Sequence, residues 1–309
     1  MEKIILKNSD LNVSRICFGG CPMGGYGWGD VSKEELLKAV NFAVDNGINF
    51  FDTADTYGLG ESERTLAEAL GKRRKDAVIA TKFGVRMENG NTFYDNSKEY
   101  MTLSVEGSLK RLKTDYIDLY QLHYRDDKTS IEEVIYNFKE LKKQGKIREY
   151  GLSNVHEKDA EELSNIKHNC VSFQDEYSLA CRKNEEDMLK LSKIMTPLTW
   201  GSLGQGILTG KYDVNSKFDS NDRRSREVYV NFHGEKLKKN MEIVEVMREI
   251  SKISGKTIPS IAIRFILDYL KNSVVIAGMK NISQVQSNLD ASGWALSESD
   301  VSNLKQSSI

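Results

Sequence analysis

"INFFDTADTYGLGESERTLAEALGK", residues 48–72, changes character partway along. Ile48, Phe50 and Phe51 open it as an apolar run of strand type. Asp52, Asp55 and Tyr57 follow, and then Gly58 and Gly60, which let the chain fold back. Glu61 and Glu63 begin a helical run, where the positive end of a helix favours acids. A strand, a polar turn and an amphipathic helix in that order make one β–α unit.

The same order recurs on both sides of it. "SRICFGG" near 14 precedes "SKEELLKAVNFAVDNG", "AVIATKFG" at 77 precedes "SKEYMTLSVEGSLKRL", and "YIDLYQLH" at 116 precedes "SIEEVIYNFKELKKQGK". "IREYGLSN" at 147, "CVSFQDEY" at 170, "IMTPLTWG" at 194 and "SVVIAG" at 273 complete eight strands, each followed by at least one helical run. Alternating units imply a parallel sheet with right-handed crossovers, and eight of them predict closure into a (β/α)8 TIM barrel. "KIILKNSDLNV" alternates around an Asn-Ser-Asp turn, so an N-terminal β-hairpin is expected to plug the bottom. Ser32 with Glu35 three positions on predicts a helix start, and Gly47 and Gly145 predict helix ends.

Length and composition agree with one such unit. No linker-like tract interrupts the 309 residues, which are read as a single domain over 1–309. Lys plus Arg (44) nearly cancels Asp plus Glu (45), so nucleic acid and anionic membrane surfaces are not expected partners. No apolar run approaches the roughly 20 residues of a membrane span, and "MEKIILKNSD" has too short an apolar core for a signal peptide, so a cytoplasmic protein is expected. Cys17, Cys21, Cys170 and Cys181 lack metal-site spacing and are expected to be reduced thiols, with no metal bound.

In a barrel the active site forms where the strands end, so polar residues just after each apolar run are the candidates. They are Gly20, Cys21, Asp52 to Tyr57, Lys82, His123, Ser153, Asn154, Gln174, Trp200, Gly201, Ser202, Leu203, Gly204, Gln205 and Gly278 to Lys280. Alone, Asp52 would cap a turn, Lys82 would be a solvated strand end, Tyr57 would pack and His123 would be a satisfied core histidine. Converging strand ends change that. A lysine beside a tyrosine is expected to lower the phenol's pKa, an aspartate behind it holds the ammonium, and the histidine orients a substrate oxygen. These four are the expected catalytic residues.

"FDTADTYGLGESE", "ATKFG", "YIDLYQLH", "GKIREYGLSN", "FQDEYSL", "GQGILTGKY" and "AGMKNISQVQSN" resemble, in this order, the signature segments of the aldo-keto reductases. The resemblance covers about residues 3 to 305 and implies a nicotinamide dinucleotide bound without a Rossmann fold. It also implies hydride transfer between nicotinamide C4 and a carbonyl carbon of a small substrate. The family's tetrad falls on Asp52, Tyr57, Lys82 and His123, with Tyr57 as proton donor and Asp52 also touching the nicotinamide ribose.

Consistent with that, "GSLGQGILTG" has Thr209 where a GxGxxG motif needs its last glycine, and "GILTGKY" is not a P-loop. Its glycines can instead let backbone approach a pyrophosphate, with Lys211 as a point charge. The resemblance puts the carboxamide on Ser153, Asn154 and Gln174, the nicotinamide ring on Trp200, and the first-strand loop contact on Gly20 and Cys21. It puts the adenosine end on Gly278, Lys280, Gln284 and Asn288. Lys280 offers a cation to a 2′-phosphate, favouring NADP(H) over a possible NAD(H), with Arg224 as a further phosphate ligand. Ser287 stands where many members carry an acid.

Three segments are expected to set substrate choice: "CPMGGYGWGD" with Met23, Tyr26 and Trp28, the loop "GVRMENGNTFYDNSKEY", and the long segment of roughly 211 to 235. NADPH-dependent reduction of an aldehyde or ketone is the expected activity. The alternatives are an NAD-dependent dehydrogenase of a sugar, polyol or secondary alcohol, and a cofactor-bound regulatory subunit. Oligomeric state is left open.

Overall fold

The computed structural model describes all residues except 26, 30, 155, 167 and 309, and the side chains of 157, 158, 160 and 164 also fall outside that description. Tyr26, expected at the mouth, therefore lies outside the described residues. Eight parallel strands form a closed barrel: β1 (Ile16–Gly19), β2 (Phe50–Asp52), β3 (Val78–Phe83), β4 (Ile117–Leu122), β5 (Ile147–Ser153), β6 (Ser172–Glu176), β7 (Thr196–Trp200) and β8 (Val274–Gly278). They pair in chain order, and β8 returns to β1 with Gly278 opposite Gly19.

Helices cover the outside: α1 (Lys33–Asp45), α2 (Glu61–Leu70), α3 (Lys98–Leu112), α4 (Ile131–Lys143), α5 (Glu157–Ser164) and α6 (Glu185–Leu191). The long α7 (Gly234–Ser254) and α8 (Ile258–Tyr269) follow β7, and α9 (Ile282–Leu289) and α10 (Glu298–Ser307) follow β8. Ser32 caps α1 by accepting the Glu35 N–H, and Gly47 and Gly145 take positive φ just past α1 and α4. No helix among the described residues is long and apolar enough to cross a membrane.

Side chains two apart on a strand share a face, and this places the site. Near the strand starts, Phe50, Ala80, Leu119, Leu198 and Val274 form one apolar cluster with Leu6, Leu11 and Val13 of the N-terminal segment. That segment is the expected hairpin, with Lys3–Ile5 antiparallel to Asn12–Ser14. Two residues further along the same inward faces stand Asp52, Lys82 and Gln121. The alternate face carries Phe18, Phe51, Ile79 and Phe83 into the larger cluster beneath the helices. Apolar bottom and polar top are thus consecutive positions of one period-two pattern.

Two of the loops at the top have specific structure. Gly58, at φ 60°, lies against the backbone of Gly24, so that a Cβ on it would come 2.2 Å from the Gly24 oxygen. The turn carrying Tyr57 thus rests directly on the short helical turn Cys21–Gly24. The segment after Lys82, expected as a loop, is instead an antiparallel ribbon of Val85–Glu88 and Asn91–Tyr94. Asn89 and Gly90 both take positive φ between its strands, the pattern of an Asn-Gly hairpin turn.

Behind the turn, Glu63 is fully buried and accepts Thr81 Oγ1 at 2.6 Å and Arg111 Nε at 2.5 Å. Asp55 lies in the same region with a buried Oδ1 that has no hydrogen-bond partner in the structure. Burial, with the Glu63 charge adding to it, pushes the Asp55 carboxyl up to about 8.

Two outcomes are expected. Gly58→Ala should lower stability by about 1–3 kcal/mol in urea unfolding, since it adds both strain and a backbone clash; unchanged stability would mean the two turns are not locked there. The folded chain holds the Asp55 proton more tightly than the unfolded chain, so this group erodes stability as pH rises from about 4 to about 8. Asp55→Asn should therefore stabilise the protein more at pH 8 than at pH 5, and an equal effect at both, by thermal unfolding, would contradict the burial assigned to this acid.

Candidate active site

Lys82, the fifth residue of β3, has no solvent exposure, so its ammonium needs partners inside the barrel. Nζ donates to Asp52 Oδ1 at 2.6 Å, to the Thr53 carbonyl at 2.9 Å, and to the Tyr57 hydroxyl at 3.4 Å. Asp52 is only 3% exposed, and its other oxygen accepts Gln174 Nε2 at 2.9 Å and Gln121 Nε2 at 3.4 Å. The turn after β2 brings Tyr57 back over the pair, with its N–H on the Ala54 carbonyl.

His123 follows β4 on the same face as Gln121, and its N–H donates to the Phe83 carbonyl at 2.8 Å. Its ring stands edge-on to Tyr57 at 5.8 Å between centroids. Burial, with the nearby Lys82 charge, holds its pKa well below the ordinary imidazole value, so the ring is neutral at physiological pH. A neutral imidazole can offer one N–H to a substrate oxygen.

The tyrosine corrects an expectation. Lys82 was expected to bring the phenol down, but burial, with Cys21 and Asp52 adding to it, holds Tyr57 well above its ordinary value. Burial outweighs the lysine, which stands 3.4 Å from the phenol and has its charge offset by Asp52 at 2.6 Å. At neutral pH Tyr57 is therefore a protonated phenol, a proton donor rather than a base.

The other sequence candidates fall around this centre. Gly20 packs so tightly on β2 that a Cβ would come 2.7 Å from the Asp52 carbonyl, and Cys21 accepts the Trp28 Nε1–H at 3.3 Å. Ser153 is buried at the end of β5, and Asn154, at φ 54°, donates Nδ2 to the His123 carbonyl at 2.8 Å. Trp200, half-buried, ends β7. Gly201, Gly204, Gln205 and Gly206 then all take positive φ, leaving an irregular backbone around the buried Ser202 and the half-buried Leu203.

Arg224 reaches that backbone, since a Cβ on Gly206 would lie 3.6 Å from its Nη1. It is also held by Asp222 and by the Tyr212 hydroxyl, while Lys211 is exposed beside the Tyr212 ring. Gly278, which ends β8, is exposed; beyond it Lys280 Nζ donates to the Trp28 carbonyl at 2.8 Å, and Gln284 Oε1 accepts the Lys280 N–H. Asn288 is buried, and its Nδ2 has no partner in the structure. Ser287 Oγ is turned toward Thr257. The positive-φ backbone, the flanking cations and this orphaned amide suit a dinucleotide with a phosphate end.

Two contributors escaped the sequence reading. Gln121 touches Asp52, and only its place two residues before His123 on one face signalled it. Tyr124 stacks on the His123 ring at 4.9 Å and meets Tyr94 of the ribbon at 5.4 Å, so an aromatic wall runs outward from His123. An Asn-Gly pair between two alternating runs could have disclosed that ribbon. Beside the wall a cleft of about 440 Å³ is lined by Tyr124, Arg125, Asn154, Asp175, Lys183 and Trp200.

Comparison with known proteins identifies the family. The sequence model described as Aldo/keto reductase family matches residues 15–309. The chain is 32% identical to the aldo-keto reductase YhdN of Bacillus subtilis (strain 168), covering 97% of this chain and 91% of the relative. It is 29% identical to the NADH-specific methylglyoxal reductase of Escherichia coli (strain K12), covering 99% and 98%. Among solved structures, the glycerol dehydrogenase of Gluconobacter oxydans superposes with a TM-score of 0.89 at 29% identity, covering 99% of this chain and 94% of that one. With the match running from the first barrel strand through residue 309, the chain belongs to the aldo/keto reductase family of NAD(P)-dependent oxidoreductases, whose general reaction is the reduction of a carbonyl.

Proposed function

We propose that the protein reduces the carbonyl of a small aldehyde or ketone with NADPH, using Asp52, Tyr57, Lys82 and His123. The observation that carries this is the buried chain of contacts from Asp52 through Lys82 to the Tyr57 hydroxyl, with a neutral His123 beside it. Nicotinamide, when bound, supplies the hydride. Tyr57 donates its proton to the alkoxide forming at the carbonyl oxygen, and His123 orients that oxygen by a hydrogen bond. Lys82 steadies the phenolate that remains, and Asp52 holds the Lys82 ammonium in place.

For the cofactor, Ser153, Asn154 and Gln174 would hold the carboxamide and Trp200 the ring face. Gln174 already donates Nε2 to Asp52, which leaves its Oε1 for an amide N–H. The backbone of Gly201 to Gln205 with Lys211 would take the pyrophosphate, and Gly278, Lys280, Gln284, Asn288 and Arg224 the adenosine end. Lys280 and Arg224 are the residues that favour a 2′-phosphate, and Lys280, with one N–H on the Trp28 carbonyl, has further donors to offer one. A second reading, NAD-dependent oxidation of a polyol, draws support from the likeness to a glycerol dehydrogenase.

Tyr57→Phe should cut turnover with the best carbonyl substrate by roughly 100-fold or more while leaving NADPH affinity nearly unchanged. Normal turnover in that variant would remove Tyr57 from the chemistry. Fluorescence titration should find NADPH bound about tenfold or more tighter than NADH, with Lys280→Ala erasing most of the difference. Equal affinities in the parent protein would instead favour the NAD-linked reading.

A further inference from the structure

Asp52 divides its two oxygens. Oδ1 faces Lys82, whereas Oδ2 is turned to a pair of side-chain amides, Gln174 on β6 and Gln121 on β4. Gln174 has a place in the cofactor site proposed above, but Gln121 has none. It is completely buried, is the register partner of Lys82 across β3 and β4, and stands two residues before His123 on the inward face. Its Oε1 is buried with no hydrogen-bond partner in the structure. An apolar side chain of similar length would avoid that unmet acceptor. The contact made by its N–H is therefore what sets this residue apart from packing.

We propose that Gln121 is a positioning residue for the reaction: through Asp52 it sets how tightly Lys82 is held, and through Lys82 the proton affinity of Tyr57. This rests on the tetrad assignment of the preceding subsection. A hydrogen bond donated to a carboxylate disperses its charge and makes it a weaker base. With two donors on Oδ2, Asp52 draws less strongly on the Lys82 ammonium, and Nζ keeps its longer contact with the Tyr57 hydroxyl at 3.4 Å. If the Gln121 donor is lost, the carboxylate charge concentrates, Lys82 is drawn toward Asp52, and the Tyr57 phenolate loses its counter-charge.

The direction of the effect is fixed by this chain of contacts. In the alcohol-oxidising direction Tyr57 must be deprotonated, so the rate climbs with pH through the apparent pKa of the phenol. Gln121→Met, which keeps length and removes the donor, should move that limb to higher pH by about one unit. Gln121→Leu, which also removes the donor and adds no charge, should move it in the same direction. Carbonyl reduction at pH 7 should fall by roughly tenfold in the Met variant, with KM for the carbonyl within about twofold of the parent.

The test is the pH–rate profile of alcohol oxidation with saturating cofactor in both variants, together with their melting temperatures and cofactor affinities. A limb shifted upward in either variant that folds and binds cofactor as the parent does supports the proposal. A limb that stays in place in both, with any loss of rate following loss of stability, overturns it and leaves Gln121 as packing. Tyr57→Phe separates the two levels: if that variant retains the limb, the phenol was misassigned, whatever Gln121 does.

Discussion

The ammonium of Lys82 governs the inside of this barrel. A cation without solvent contact is tolerated only with close partners, and it has three: a carboxylate, a backbone carbonyl and a phenol. Those requirements reach outward. Asp52 must end β2 facing inward, its free oxygen then needs donors from β4 and β6, and Tyr57 must return over the pair through a turn tight enough to need glycine. Four strands are tied to one charge.

The same arrangement explains the opposite shifts of the two rings. His123 and Tyr57 both stay neutral, because burial penalises whichever charge each could carry. Both can therefore donate a hydrogen bond to one oxygen without repelling each other. The sequence suggested a different balance, with Lys82 as the dominant influence on the phenol. What it did not contain was the burial of the phenol, and an Asp52 charge close enough to offset much of the lysine's pull on it.

Much of the architecture was legible because it rests on periodicity. Strand and helix runs alternate along the chain, and the alternation of Phe50 with Asp52 or Ala80 with Lys82 marks both the core and the mouth. The residues gathered around Lys82 were legible because they end strands. Less legible were features that depend on three-dimensional neighbours. Gln121 reads as an ordinary polar residue until barrel closure brings Asp52 of β2 to it. The ribbon over Val85–Glu88 and Asn91–Tyr94 is a different case, since its Asn-Gly turn was written in the chain and charged residues around it obscured the alternation.

The contact between Gly24 and Gly58 has a consequence for altering substrate choice. These two loops meet main chain to main chain, with no side chain between them to absorb a displacement. One carries Met23 and leads to Trp28 at the rim, while the other carries the phenol. They behave mechanically as one body. Insertions or shifts in the rim segment bear on the backbone of Tyr57, so under the proposed function selectivity and turnover are coupled on that side of the barrel. The ribbon meets the centre differently, through the rings of Tyr94 and Tyr124 that run outward from His123, and so does not bear on the backbone of Tyr57.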